Sequence, residues 1–164
     1  MKEVIIDPQP LGKLTLPEAF DFLFSTEKLK NFHGKNTYIS PWKDDKRTIR
    51  FQMDVDAVPQ EVRVFFCGEK LRITTTQNVE REKTRWTVSN RVRLHFVGAE
   101  LFDVRPTFCL ETDKNDITNL SCKVQHRARL PIPLNGIVER FMASQTLREL
   151  NEYKEIISDD LTRL

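Results

Sequence analysis

Hydrophobic and polar residues alternate along most of the middle of the chain, with the period of half-buried β-strands. The alternating runs begin near residues 49, 62, 71, 86, 108 and 120. Short polar or glycine-containing segments separate most of them, so successive strands are predicted to pair antiparallel, because a parallel pair needs a long crossover. Together with a short apolar run at residues 3–6, the pattern predicts an antiparallel sheet of about six to seven strands.

Helical spacing replaces the alternation on both sides of this region. Thr15 and Glu18 have the spacing of a capping box, and Pro17 is tolerated in a first helical turn. Ser25 starts a second cap, so two short helices are predicted, the second ending near residues 33–34. After Gly136 the chain contains neither proline nor glycine. Residues 134–164 are therefore predicted to form one helix of up to ~45 Å.

The predicted C-terminal helix carries two apolar stripes on nearly opposite sides, counting 100° per residue. The stripe from Leu134 to Met142 follows the last strand directly and is expected to plug the sheet. The stripe from Leu147 through Ile157 to Leu161 needs another partner. We expect it to pack against the N-terminal strand and first helix, and a second copy of the chain is the alternative.

Composition indicates one soluble globular domain, residues 1–164. The chain is 39% hydrophobic and 30% charged, with a net charge of +2. It has no apolar run long enough for a membrane span and no secretory signal pattern. Three scattered cysteines suit a reducing compartment, so a cytoplasmic protein is expected. The eleven phenylalanines lack a polar handle, which favours a dry interior or an apolar cavity.

Motifs for common chemistries are absent from the sequence. Its five glycines are isolated, so there is neither a dinucleotide fingerprint nor a phosphate loop. Cys122 and His126 lie roughly 13 Å apart on one strand at ~3.3 Å per residue, too far to share one metal ion. We expect no catalytic residue, no metal and no cofactor, and we expect His126 to be a buried, hydrogen-bonded residue.

The predicted order of elements is that of an α+β helix-grip fold, in which a curved antiparallel sheet wraps a long C-terminal helix and leaves a cavity. Four stretches resemble the START-like superfamily of SRPBCC-type proteins, which includes polyketide cyclases, and more narrowly its sterol-binding VASt domains. These stretches are 16–24, Trp42 with 47–51, 97–102 and 120–141, so the resemblance covers roughly residues 16–155.

The resemblance implies non-catalytic binding or transfer of a hydrophobic ligand, a sterol or other lipid, in that cavity. Inward-facing positions supply the candidate ligand-binding residues, among which Asn90, His126 and Gln145 would orient a ligand hydroxyl. The full set is Phe51, Met53, Phe66, Trp86, Val88, Asn90, Phe108, Leu110, His126, Val138, Phe141, Met142 and Gln145.

Three alternatives stay open at this stage. The inward side chains simply fill the core, or the cavity belongs to a cyclase or aromatase-type enzyme, which would need an inward acid–base pair around His126. The third alternative is a protein-interaction domain without a ligand, docking through the second helix stripe, which includes a homodimer through the C-terminal helix.

Four arginines alternate outward on two predicted strands: Arg91, Arg93, Arg127 and Arg129. A solvated basic face is the ordinary explanation. The alternative is peripheral contact with an anionic membrane, to which each basic residue contributes ~1 kcal/mol. The balanced net charge does not indicate a nucleic-acid partner.

Overall fold

The computed structural model describes residues 2–54, 56, 60–63, 70–96, 99–129 and 134–164, without the side chains of 61, 62, 95, 96, 99, 101 and 145. The strands are β1 (Lys2–Pro10), β2 (Tyr38–Ile39), β3 (Lys46–Met53), β4 (Leu71–Arg81), β5 (Arg85–Phe96), β6 (Ala99–Thr112) and β7 (Thr118–Ala128). The helices are α1 (Leu16–Phe24), α2 (Thr26–His33), α3 (Gln60–Arg63) and α4 (Leu134–Thr162).

All seven strands of these ranges form one antiparallel, curved and unclosed sheet in the order β1-β7-β6-β5-β4-β3-β2. Strands β3 to β7 follow one another as a meander, and the N-terminal strand β1 adds to the edge beside β7. The helix α4 packs against β7 and β1. The sheet, the two short N-terminal helices and the long C-terminal helix confirm the predicted helix-grip architecture.

Both predicted helix starts are confirmed by their caps. The Thr15 hydroxyl accepts a hydrogen bond from the Glu18 amide at 3.3 Å, and the Ser25 hydroxyl accepts from the Lys28 amide at 3.2 Å. Helix α2 ends at Gly34, whose φ of +112° is open to glycine but strained for other residues. Capping residues are strong sequence signals because each capping side chain satisfies a free backbone amide at the start of a helix.

Two predicted strands differ in the structure. Residues 60–63 form the short helix α3, where a strand through residues 62–66 was expected; residues 64–66 lie outside the described part. Strand β6 begins at Ala99, well before the run near Phe108, and contains Pro106. Proline lacks an amide donor, so it cannot donate a hydrogen bond to a neighbouring strand. Accordingly, the β5–β6 pairing is interrupted between the pairs Ser89–Thr107 and Val92–Val104. Strand β6 therefore continues past a residue that reads locally as a break.

Most of the buried hydrophobic side chains form two clusters at opposite ends of the long strands. The first, called the dry core below, joins α1 and β1 to the far half of α4 and includes Leu23, Val88, Leu110 and Ile157. The second, called the cavity end, contains Leu71, Ile73, Leu94, Phe102, Ala128, Val138 and Met142. The interior is thus divided along the strands.

Helix α4 contributes one apolar stripe to each cluster. Val138 and Met142 belong to the cavity end, as the first stripe predicts. Tyr153 and Ile157 are buried in the dry core with Leu150 and Leu161 packed beside them, so most of the second stripe is covered within the chain. Among the described helices none combines the length and apolar character that a membrane span requires.

Candidate ligand cavity

A cavity of about 510 Å³ lies between the inner face of the sheet, α2 and α4. Its walls are mostly aliphatic and aromatic side chains from strands β3 to β7 and the two helices. They include Leu29, Phe32, Ile49, Phe51, Met53, Leu71, Ile73, Val92, Leu94, Phe102, Val104, Phe108, Phe141 and Met142. A volume of this size and an apolar lining are typical of small-molecule sites.

The polar lining residues include two groups of different character. Thr75, Gln77 and Asn90 are uncharged and project from neighbouring strands of the sheet. On α4 the charged lining residues include Arg148 and Glu152, which are largely exposed and pair at 3.6 Å. The exposed residues indicate that the cavity meets solvent beside α4, whereas Thr75 and Gln77 on the sheet are buried and uncharged.

The end of α2 closes one side of the cavity. The His33 ring stacks on Phe51 of β3 with a centroid distance of 4.2 Å and an interplanar angle of 19°. Burial lowers the pKa of His33 to about 4, so the ring is neutral at neutral pH. This contact joins α2 to β3 without introducing a charge into the lining.

Arg47 holds the end of α1 beside the cavity. Its Nη2 donates to the carbonyl oxygen of Phe24 at 2.7 Å, and its Nε donates to Oε1 of Gln77 at 2.7 Å. The guanidinium also lies 4.3 Å from the ring centroid of Trp42. Burial lowers the pKa of Arg47 to about 10, so the group stays charged at neutral pH. A cation at a helix C-terminus satisfies a free carbonyl and opposes the helix dipole favourably.

Tyr153 makes the matching contact from α4. Its hydroxyl donates to the carbonyl oxygen of Leu23 at 2.6 Å, and its ring lies 5.4 Å from Phe32. Burial raises the pKa of Tyr153, so the phenol remains protonated and keeps donating. The last carbonyls of α1 are therefore satisfied by side chains from the sheet and from α4, which fixes Phe24 in the cavity wall.

Six of the predicted ligand-binding residues line the cavity: Phe51, Met53, Asn90, Phe108, Phe141 and Met142. They come from β3, β5, β6 and α4, so the structure brings together positions that are up to 91 residues apart (142 − 51). Their role in binding a ligand stays a prediction. Phe66 and the side chain of Gln145 lie outside the described residues.

The other predicted wall residues that the structure describes do not line this cavity. Val88 and Leu110 are fully buried in the dry core, and Trp86 packs against it, with its ring 5.7 Å from Phe20. They share the inner face of the sheet with the cavity residues, but α1 covers their end of the strands. Val138 is buried behind the cavity lining.

His126 also lies on the inner face but outside the lining. It is completely buried, and neither ring nitrogen has a hydrogen-bond partner among the described residues, contrary to expectation. Burial is the main cause of its lowered pKa, which the residue's own backbone and then the charge of Glu139 partly offset. Across the described part of the chain no group of three or more His, Cys, Asp or Glu residues is placed to hold a metal ion.

The four predicted outward arginines lie on β5 and at the end of β7, which are separated by β6. Asp103 of β6 stands opposite both Arg93 and Arg127 in the sheet. Its carboxylate is almost completely buried between Arg91 at 3.1 Å and Arg105 at 2.7 Å, and its pKa is lowered by these hydrogen bonds against the effect of burial. Glu100 pairs with Arg91 and, at 3.8 Å, with Arg129. The basic face is therefore partly neutralised.

Several site residues were not among the sequence predictions. Thr75 and Gln77 lie at inward positions in the alternation predicted for β4. The alternation could therefore have identified them as polar residues on an otherwise apolar inner face. Arg47 precedes the first clear run, and although it shares the alternation of Ile49 and Phe51, it was given no role in the site. Tyr153 reads as part of a helix stripe. Nothing in the local pattern indicates that α2 would supply Leu29, Phe32 and His33 to the lining.

Comparisons with known proteins give information about the fold only. No family model and no curated protein matches the sequence. A conserved protein from Geobacillus kaustophilus superposes with a TM-score of 0.61 at 11% identity, covering 95% of this chain and 93% of that one. A protein from Rhizobium leguminosarum gives 0.62 at 12% identity over 99% and 95%, and the Mll3558 protein from Rhizobium loti gives 0.50 at 13% over 93% and 96%. At such identities the likeness concerns the fold, and these names state no ligand or activity.

Proposed function

We propose that this chain binds or transfers a hydrophobic ligand, a sterol or other lipid, in the cavity between the sheet and α4, without catalysis. The observation that carries the proposal is the lining of that 510 Å³ cavity, which is mostly apolar and has a few neutral polar groups on the sheet side. The sequence resemblance to the START-like superfamily points to the same function.

Desolvation supplies the binding energy in this proposal. Each Å² of apolar surface removed from water is worth about 25 cal/mol, so a ligand that buries ~400 Å² gains roughly 10 kcal/mol before the costs of association. Phe24, Phe51 and Phe102 would then contact the ligand with the part of their surface that borders the cavity, in addition to their contacts with other side chains. Neither an acid nor a base is required for this mechanism.

The enzyme alternative receives no support from the position of His126, on which it depended. That residue is not among the cavity-lining residues, and the histidine that does line the cavity, His33, is stacked on Phe51. A non-catalytic ligand site therefore accounts better for the lining.

A lipid-extract experiment tests the proposal directly. The purified protein is incubated with a mixed lipid extract, repurified and examined by native mass spectrometry for a bound mass. Leu94→Trp fills the cavity from β5 and should abolish the bound species, whereas Ser89→Trp on the opposite face of the same strand is the matched control. Absence of any bound lipid in the unsubstituted protein, with its fold intact by circular dichroism, would contradict the proposal.

Peripheral membrane contact is a separate part of the proposal. Arg127 is exposed, and Arg91, Arg93, Arg105 and Arg129 share its face with the two acids Asp103 and Glu100. The excess of arginine favours an anionic surface, with an affinity that falls as salt rises. Co-sedimentation with phosphatidylserine vesicles should exceed that with phosphatidylcholine vesicles, and Arg127→Glu should weaken it; equal sedimentation with both would contradict this contact.

A further inference from the structure

The orientation of one cavity-lining amide is fixed by chemistry. Gln77 is 1% exposed, and the atom that contacts Arg47 Nε at 2.7 Å must accept a hydrogen bond, because a guanidinium can only donate. That atom is therefore Oε1, and Nε2 is left as a donor. Within the described residues no hydrogen bond of Nε2 is seen, although Gln77 lines the cavity.

A second amide lies directly opposite. Asn90 of β5 is paired with Gln77 of β4 in the sheet, so their side chains are neighbours on the cavity face. The Asn90 Oδ1 atom is buried and has no hydrogen-bond partner in the described part of the chain. An unsatisfied buried acceptor costs about 1–3 kcal/mol, so a bound group that donates to it would bind more tightly.

The side chains that line the cavity beside this amide pair are uncharged. Thr75 is the polar lining residue next to it on β4, and the charged Arg47, which contacts Gln77, is not among the lining residues. The charged lining residues lie on α4, and two of them, Arg148 and Glu152, are exposed. An ionised ligand group placed at Gln77 and Asn90 would lose its water without gaining an opposite charge in contact, which is unfavourable.

We propose that the amides of Gln77 and Asn90 select an uncharged lipid alcohol, whose single hydroxyl accepts from Gln77 Nε2 and donates to Asn90 Oδ1. Arg47 acts as a positioning residue, since it fixes and polarises the Gln77 amide. The inference rests on the proposed function and narrows its ligand class. An ether offers only the acceptor, and a carboxylate brings a charge and no donor.

Three probes of equal chain length separate these cases: dodecan-1-ol, dodecyl methyl ether and dodecanoate, titrated calorimetrically at pH 8. The unsubstituted protein should bind the alcohol about tenfold more tightly than the ether, and dodecanoate more weakly than the alcohol. Asn90→Leu, which keeps the branched shape but removes the Oδ1 acceptor, should bring the alcohol-to-ether ratio to about one. The ratio is compared within the variant, because the larger leucine side chain affects the two probes alike. Thr75→Val is the matched control, and it should keep the ratio.

Gln77→Glu tests the other amide without depriving Arg47 of its acceptor. It replaces the donor with an acceptor, so ether binding should weaken by at least tenfold. Equal binding of alcohol and ether, dodecanoate binding as tight as that of the alcohol, or an unchanged ratio in Asn90→Leu would overturn the inference and leave the proposed function standing. Binding of none of the three probes to the unsubstituted protein would overturn both.

Discussion

The two ends of the same strands differ in what lies on them. On β5, Val88 is completely buried against other side chains, whereas Val92 and Leu94, a few residues further along, face the cavity. The inner face and the residue types hardly change between these positions. The difference comes from the helices, because α1 lies on the dry core, and α2 and α4 leave space at the cavity end.

Aromatic side chains of α1 mark the boundary between the two ends. The Phe24 ring lies 5.4 Å from Phe20 in the dry core and 5.3 Å from Phe108, and both Phe24 and Phe108 also line the cavity. The dry core therefore supplies the rigid wall against which the cavity is built. Stability should depend mainly on one end of the sheet, and ligand binding on the other.

Truncation of a leucine at each end should give the largest difference. Leu110→Ala removes a side chain that is completely enclosed, and we expect it to lower the free energy of unfolding by about 3–5 kcal/mol. Leu94→Ala should cost clearly less, because part of the Leu94 surface already borders empty space and has fewer partner atoms to lose. Urea denaturation of both variants measures this, and equal losses would break the distinction between the ends.

Replacement of a valine by a larger side chain should destabilise the protein more in the dry core than at the cavity end. Val88→Phe adds volume where none is free, and overpacking should destabilise the protein by about 1–3 kcal/mol. Val92→Phe extends into the cavity and should change stability by less, while weakening ligand binding. Thermal unfolding and lipid titration are the two measurements. If Val92→Phe were as damaging as Val88→Phe, the cavity would not be free space in solution.

The contact between α4 and α1 should have an intermediate effect. Tyr153→Phe leaves the Leu23 carbonyl without its buried donor, so we expect a loss of about 1–2 kcal/mol. Tyr38→Phe is the matched control, because Tyr38 is 54% exposed, and it should be close to neutral. Since Leu23 precedes the cavity residue Phe24, ligand affinity should also fall in Tyr153→Phe. A neutral result would mean that this hydrogen bond does not hold α1 in place.

The sequence predicts the strands and helices of the fold because they depend on local patterns of residues. Alternation places Val88 and Val92 on the same face, and the caps at Thr15 and Ser25 place the helices. No local signal tells how far along the strands α1 extends, so Val88 and Leu110 were predicted as cavity walls. The position of a helix over a sheet depends on long-range contacts such as Arg47 with Phe24 and Tyr153 with Leu23.

Long-range contacts also limit what the sequence predicts about the polar part of the site. The inward position of Asn90 follows from the period of β5. The importance of Gln77 depends on Arg47, which is 30 residues earlier in the chain and reaches it only across the β3–β4 pair. A pattern along one strand carries no information about such a partner.

Acid should weaken the cavity end through His33, the smallest effect we predict. Burial lowers the pKa of His33 to about 4 in the folded protein, against an ordinary value near 6.5 in the unfolded chain. Between these values the unfolded chain binds more protons, so stability is full above pH 6.5 and falls as the pH drops toward 4. Because part of the residue is accessible, we expect a loss of about 1 kcal/mol between pH 7 and pH 5.5.

His33→Phe isolates this contribution, because it keeps the stacking on Phe51 and removes the titrating group. His126, whose pKa is also lowered, contributes to acid sensitivity in the same direction in both proteins and cancels in the comparison. Urea midpoints at pH 7 and pH 5.5 should therefore shift less in His33→Phe than in the unsubstituted protein. Identical shifts would show that the His33 ring is hydrated in solution, and that α2 does not close the cavity as tightly as its contact with β3 requires.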